Sequence, residues 1–405
     1  MARYSIRRLR LHHSHDLVNE LGVQRGALFE EFSGRCQRHT WVLKVLSREE
    51  EIPKNLLSAF SLRGLACWLA SPNSAYLFSD HAQLRAIVNG RSFITSSEAL
   101  FMQELRAFLD HYDRDEFIID SETCKIILGG ATAIMGVLNC TPDSFFDGGK
   151  FFSAEKAVEH GLRLAEQGAN FIDVGGESTR PKGVYGEGAQ PVSEQEELER
   201  VLPVIEALSR RLDIPISIDT YKANVAEAAI RAGAAMVNDI SGLLFDPRMP
   251  EVIARYHAPL VLMHLKGTPQ DMQQNPTYEN LMDEIYLHLE KQVQAALQAG
   301  IPRALLIVDP GLGFGKSIDD NFTILRRLSE FRGLGCPILL GPSRKSFVGK
   351  VLNLPPEERL EGTAAAVTGA ILNGAHIVRV HDVTEMRRVV QIADLIAGRA
   401  EKSLF

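Results

Sequence analysis

From residue 131 onward the chain repeats one unit: a short apolar run, a loop, and a stretch of helical periodicity. The apolar runs are Ala133–Asn139, Ala169–Gly175, Ile214–Asp219, Ala235–Asn238, Pro259–Met263, Ala304–Asp309, Pro337–Gly341 and His376–Val380. Each reads as a strand buried on both faces, the kind found in parallel sheets. Between and after them the periodicity predicts helices over Ser153–Gln167, Ser193–Arg211, Ala223–Arg231, Tyr278–Gln298, Asp320–Glu330, Glu357–Leu372 and Val383–Ala397. Gly168, Gly233, Gly300 and Gly374 stand where helix stops belong. Eight strand–helix units within about 270 residues match a (β/α)8 TIM barrel in count and size. An open doubly wound sheet has the same alternation, and the count of eight favours the barrel. Phe117–Asp120 and Lys125–Leu128 read as a hairpin covering the bottom of that barrel.

Residues 1–114 do not follow the repeat. Thr40–Leu46 and Ala75–Phe78 read as strands and Ser97–Asp110 as an amphipathic helix opened by Ser96/Ser97, giving a small α+β N-terminal domain of unknown role before a barrel over 115–405. Residues 1–115 carry 15 Lys+Arg against 13 Asp+Glu, and the remainder 29 against 38, so neither part is basic enough to suggest nucleic acid as a partner. The five cysteines are scattered and form no C-x-x-C, which argues for reduced thiols over a disulfide frame or zinc site. No apolar run approaches the ~20 residues that cross a bilayer. Arg7-Arg8 is followed by polar residues, so an export signal is rejected and the cytoplasm is expected. His12, His13 and His15 read as solvated.

Barrel enzymes carry their chemistry on the loops after the strands. Here every run ends in polar residues: Asn139, Asp173, Asp219, Asn238-Asp239, His264, Asp309, Ser343-Arg344-Lys345 and Arg379-Val-His381. Asp219, Asn238 and Asp309 come from different strands and would converge near the axis. A carboxylate accepting two parallel N–H bonds suits the edge of a 2-amino-4-oxo-pyrimidine or pterin ring, with Arg344 and Lys345 placed for its heteroatoms or face. The plainer reading of Asp309 is a cap on the Pro310-Gly311 turn. Arg379 and His381 share one side of the last strand and together suit a multiply charged anion. Asn139 ends the neighbouring strand, where an amide oxygen beside such an anion could take part in Mg²⁺ coordination; alone, it reads as a turn residue. Gly311-x-Gly-x-Gly-Lys316 lacks P-loop spacing, and its glycines are read as letting backbone approach a flat ligand. The Gly-rich loops Thr141–Lys150 and Glu177–Gln190 are candidate lids.

Taken together, Met135-Gly-Val-Leu-Asn-Cys-Thr-Pro-Asp-Ser-Phe145, Gly176-Glu-Ser-Thr-Arg-Pro181, Ser217-Ile-Asp-Thr220, Asn238-Asp-Ile-Ser-Gly242, Met263-His-Leu-Lys-Gly-Thr-Pro269, Asp309–Lys316, Ser343-Arg-Lys-Ser346 and Arg379-Val-His-Asp382 resemble, in order, the motifs of the dihydropteroate synthase family of folate biosynthesis. The resemblance covers Ile134 to about Ala397. It implies a transferase that condenses 6-hydroxymethyl-7,8-dihydropterin pyrophosphate with p-aminobenzoate, giving 7,8-dihydropteroate and pyrophosphate by an SN1-like path, and that is a sulfonamide target. It also implies that Asp219, Asn238, Asp309 and Lys345 bind the pterin, with Met263 and Phe314 lining its pocket. Asn139 would ligate Mg²⁺, the cofactor, while Arg379 and His381 hold the pyrophosphate with Thr179 nearby. Phe145, Arg180, Pro181 and Ser346 would frame p-aminobenzoate, its carboxylate at a helix start near Ser346. The residues expected to carry catalysis are Asn139, Asp219, Lys345, Arg379 and His381. Family members imply a homodimer through barrel helices, with no nucleic acid or membrane as partner.

Phe146, Lys182 and Leu265-Lys266 depart from the usual family residues, which bears on loop behaviour and inhibitor fit. A pterin-dependent methyltransferase and a silent pterin-binding protein are the rival readings. Neither requires Asn139, Ser343–Ser346 and the Arg379/His381 pair together.

Overall fold

The computed structural model describes residues 3–11, 20, 32–36, 41–48, 51–90, 95–141, 154–178, 192–274 and 276–399. The chain divides into two compact units. The first is Met1–Arg114 with Tyr278–Leu287 and Arg327–Gly335; the second is the rest. The two later segments of the first unit had no signal in the sequence.

In the first unit, strands β1 (Tyr4–Arg8), β2 (Trp41–Ser47), β3 (Ala66–Ser71) and β4 (Ser74–Ser79) form an antiparallel sheet in the order β1-β2-β4-β3. Helices α1 (Lys54–Leu62), α2 (His81–Asn89) and α3 (Ser96–Tyr112) supply most of the remainder. Period-two alternation gives the sheet two buried faces: Leu43, Val45 and Leu77 pack with Phe101, Leu105 and Leu109 of α3, while Val42, Tyr76 and Phe78 pack around Phe32. The N-cap of α3 is Thr95, whose side chain accepts from the Glu98 N–H, one residue before the Ser96/Ser97 start expected from sequence. Strands β1 and β3 and helices α1 and α2 went unread because each is short and lacks a clean period. Arg7, half of the rejected export motif, is a buried β1 residue.

The second unit opens with the hairpin β5 (Phe117–Asp120) and β6 (Lys125–Leu128), in the expected register. Thr123 Oγ1 donates to the Ala235 carbonyl at 2.9 Å, and the Phe117 ring meets His376 edge-on at 5.0 Å. Both partners precede strands, so the hairpin covers the N-terminal end of the barrel. The eight barrel strands are β7 (Ala133–Asn139), β8 (Phe171–Gly175), β9 (Ile216–Asp219), β10 (Met236–Asp239), β11 (Leu260–Met263), β12 (Leu306–Asp309), β13 (Leu339–Leu340) and β14 (Ile377–Val380). All pair in parallel in chain order, with β14 beside β7. The Val308–Ile338 bridge, with the Val308 N–H on the Pro337 carbonyl at 2.9 Å, closes the ring between β12 and β13. Closure excludes the open sheet.

Helices α4 (Ala154–Glu166), α5 (Glu194–Ser209), α6 (Ala223–Arg231), α7 (Met249–Tyr256), α8 (Leu281–Gln298), α9 (Ile318–Arg327), α10 (Ser346–Leu352), α11 (Leu360–Leu372) and α12 (Val383–Ala397) alternate with the strands. The stops Gly168, Gly233, Gly300 and Gly374 all have positive φ, the left-handed conformation in which glycine ends a helix without a Cβ clash. Helix α9 ends at Arg327 and continues as 3-10 turns over Leu328–Leu334, not as helix to Glu330. The two-turn helix α7 was too short to register as periodic.

Candidate active site

Strand ends β7, β9 and β14 bring Asn139, Asp219, Arg379 and His381 to one cavity of about 300 Å³, and the turns after β12 and β13 add Phe314, Lys345 and Ser346. Glu177, Ser343 and Met272 line it too; the first two stand in the family motifs, and none of the three carried an expected role. Asn238, Asp309 and Met263 are buried and outside this lining; Met263 packs with Ile240, Leu265 and Met272, against which Phe314 rests. Phe145, Thr179, Arg180 and Pro181, with the departures Phe146 and Lys182, lie outside the described residues.

Arg379 is tied at both ends. Its Nε donates to Asp173 Oδ2 at 2.6 Å and its Nη2 to Asp219 Oδ2 at 2.7 Å. The same Asp173 oxygen accepts from Asn238 Nδ2 at 3.0 Å. Asp173 thus belongs to the site; the sequence marked it only as one polar strand end among eight. Burial raises the Asp219 carboxyl above the ordinary carboxylate range; Arg379 pulls it back and Asp173 adds to the rise. Burial raises Asp309 likewise, against the pull of Lys345 and of the Gly311 N–H, which donates to Oδ1 at 2.7 Å. That last bond is the turn cap of the plainer reading, and it uses only one carboxylate oxygen.

Lys345 stands with its Nζ 4.5 Å from the centre of the Phe314 ring and donates to the Leu312 carbonyl. Burial brings its ammonium down to about 8, opposed by Asp309 and assisted by Arg379. Arg344 has φ +54°, lines the cavity, and forks onto Asp382, its Nε donating at 2.8 Å. Ser343 Oγ accepts from the His381 N–H at 3.2 Å and lies 3.0 Å from His381 Nδ1, which orients the imidazole.

The glycines after Asp309 serve mainly the chain itself. A Cβ on Gly311 (φ +70°) would fall 2.1 Å from the His264 carbonyl oxygen, and one on Gly315 (φ +65°) 2.4 Å from that of Lys266. They let this turn lie against the segment following β11; of the three, only Gly313 lines the cavity. Lys316 is buried with Nζ 2.9 Å from His264 Nδ1 and donates to the Phe314 carbonyl at 2.8 Å, a structural tie and not a phosphate contact.

The model of the family described as pterin binding enzyme matches residues 135–381. Dihydropteroate synthase of Synechocystis sp. is 49% identical over 269 residues, 66% of this chain and 91% of that protein. Yersinia pestis dihydropteroate synthase, solved with a sulfonamide drug complex, is 41% identical with a TM-score of 0.65, covering 70% of this chain and 99% of that one. The enzyme of Xanthomonas albilineans, solved with 4-aminobenzoic acid, is 40% identical with a TM-score of 0.63, covering 69% and 98%. The chain belongs to the dihydropteroate synthase family of pterin-binding enzymes, and is a transferase.

Proposed function

We propose that the chain joins 6-hydroxymethyl-7,8-dihydropterin pyrophosphate to p-aminobenzoate by an SN1-like path. The observation that carries this reading is one cavity with Arg379 braced by two carboxylates and Lys345 set against Phe314. Asp219, Asn238, Asp309 and Lys345 hold the pterin edge, with Met263 and Phe314 beside it. Arg379 and His381, with Thr179, hold the diphosphate, while Ser346, Phe145, Arg180 and Pro181 frame p-aminobenzoate. When the methylene carbon–oxygen bond breaks, its electron pair leaves with the diphosphate, whose charge Arg379 and His381 stabilise. The carboxylates of Asp219 and Asp309 face the cationic pterin, and the arylamine nitrogen then attacks the methylene carbon and gives up a proton. The chain supplies preorganised charge and no covalent nucleophile.

Among the described residues no group of three or more His, Cys, Asp or Glu is placed to hold a metal. Asn139 offers one amide oxygen at the cavity wall. That donor fits an ion arriving on the diphosphate and sharing most of its coordination with phosphate and water, as Mg²⁺ does. When bound, Mg²⁺ supplies further neutralisation of the leaving group.

The test is to incubate the full chain with both substrates, with and without Mg²⁺, and quantify dihydropteroate and pyrophosphate together. Equal, Mg²⁺-dependent yields are expected. Pterin binding with neither product would return the methyl-transferring or silent reading.

The pH dependence of kcat/KM has two expected limbs. Asp219 must be ionised to accept two N–H bonds, so activity falls on acidification from a pH above the ordinary carboxylate range. Lys345 must be protonated, so activity falls as pH rises through about 8. Lys345→Arg keeps its charge to much higher pH. An alkaline limb that stays in place in that variant would rule out Lys345 as its source.

A homodimer through α11 and α12 is supported by Leu372, Ile392, Leu395 and Ile396, all exposed, with Ile392 and Ile396 at 60% and 64%. The full chain should sediment as a dimer, and paired Ile392→Glu and Ile396→Glu substitutions should shift it to monomer. No described helix is long and apolar enough to cross a membrane.

A further inference from the structure

Asp173 does not line the cavity, yet one of its oxygens holds two groups that serve it. Its side chain is fully buried on β8. Both of its hydrogen bonds converge on Oδ2, one from Asn238 Nδ2 at 3.0 Å and one from Arg379 Nε at 2.6 Å. Oδ1, and the Oγ of its register partner Ser217 on β9, have no hydrogen-bond partner among the described residues. A buried carboxylate with one oxygen unpaired is costly for a fold. Packing or sheet stability therefore does not explain it, whereas the two bonds on Oδ2 do.

Those bonds decide how two neighbours face a ligand. An amide donates through nitrogen and accepts through oxygen. With Nδ2 fixed on Asp173, Asn238 is left with Oδ1 as its free acceptor, the polarity that a ring N–H requires. The guanidinium of Arg379 is fixed along Nε by Asp173 and at Nη2 by Asp219, which sets its plane and leaves the Nη1 edge for an anion.

We propose that Asp173 is a positioning residue that couples the two ends of one substrate, orienting Asn238 for the pterin ring and Arg379 for the diphosphate. This rests on the assignments under Proposed function. The proposal opposes simple charge summation. If Asp173 acted only as a buried negative charge, it would disfavour diphosphate, and removing it would tighten anion binding. As a positioning residue, it has the opposite effect.

The test uses the full chain and two separate probes, 6-hydroxymethylpterin without diphosphate and inorganic pyrophosphate, each titrated calorimetrically with Mg²⁺ present. Asp173→Ala should weaken both by ~10-fold or more, the scale of one lost charge-assisted bond, while KM for p-aminobenzoate stays within about 3-fold. Asp173→Asn keeps an acceptor oxygen and removes the charge. It should bind the pterin within about 3-fold of wild type and pyrophosphate equally well or more tightly. An alanine variant that keeps both affinities, or tightens pyrophosphate, overturns the proposal. So does an asparagine variant that loses the pterin; if the alanine variant fails to fold, Asp173→Val, which also lacks an acceptor, takes its place with the same expected losses. Wild-type chain that binds neither probe and forms no product overturns the enzymatic reading itself. Active wild type with unaffected variants overturns only the role of Asp173.

Discussion

Arg379→Ala should lower kcat/KM for the dihydropterin substrate by ~10²-fold or more, the scale for losing one preorganised charged contact in a water-poor site. The reason goes beyond one missing cation. Arg379 is the shared partner of Asp173 and Asp219, so its removal leaves two neighbouring carboxylates without their counterion. Asp219, already raised by burial, then loses the cation that pulls it back, which weakens it as an acceptor for the proposed pterin edge. The loss should therefore appear in pterin binding as well as in departure of the diphosphate. Arg379→Lys restores the charge but cannot span both carboxylates with a planar fork, and should recover only part of the rate. Kinetics of Arg379→Ala near wild type would remove Arg379 from the mechanism.

The second large effect concerns stability. In the first unit Arg7, Lys44 and Arg327 meet Glu20, Asp283 and Glu330 in a buried cluster of three positive and three negative groups. Arg7 alone pairs with Glu20 at 3.1 Å, Asp283 at 2.5 Å, and Glu330. Arg7→Met strips two buried carboxylates, Glu20 and Glu330, and the partly buried Asp283 of a shared cation and should destabilise this unit by about 3–5 kcal/mol. Trp41 and Trp68, the only tryptophans of the chain, both lie in this unit, so urea unfolding followed by tryptophan fluorescence reports it selectively. Asp110→Asn, which removes an exposed pair with Arg85 in the same unit, should cost about 1 kcal/mol or less and serves as the control. Equal midpoints for the two variants would show that the cluster contributes nothing special. By the same logic a chain beginning at residue 115 lacks Arg7, Glu20 and Lys44 and leaves Asp283, Arg327 and Glu330 short of partners. Such a truncation is expected to disturb the segments 278–287 and 327–335, and is a poor way to isolate the barrel.

Much of the barrel was legible because its signals are local. A run such as Ala133–Asn139 states its strand within seven residues, and Gly168 or Gly374 states a helix stop in one. Asp219, Arg379 and His381 were legible as neighbours at one cavity because barrel topology gathers strand ends, so a polar residue at the end of a run is already placed. Short elements such as α7 and β3 carried too little pattern to read. The glycines of Gly311–Gly315 were legible as special but not as to purpose, since the carbonyls they accommodate belong to His264 and Lys266 on another loop.

The sequence by itself determined the alternation, its count, and the chemical types set around the barrel mouth, since periodicity, caps and turns act over a few residues. Tertiary structure alone decided which of those residues pair. Asp173 meets Arg379 across 206 residues of chain, and Arg7 meets Glu330 across 323. A carboxylate reads the same in sequence whether it caps a turn, touches a ligand or braces a guanidinium. Only the closed ring of strands, and the burial that makes an unpaired charge costly, assigns Asp173 to the last of these.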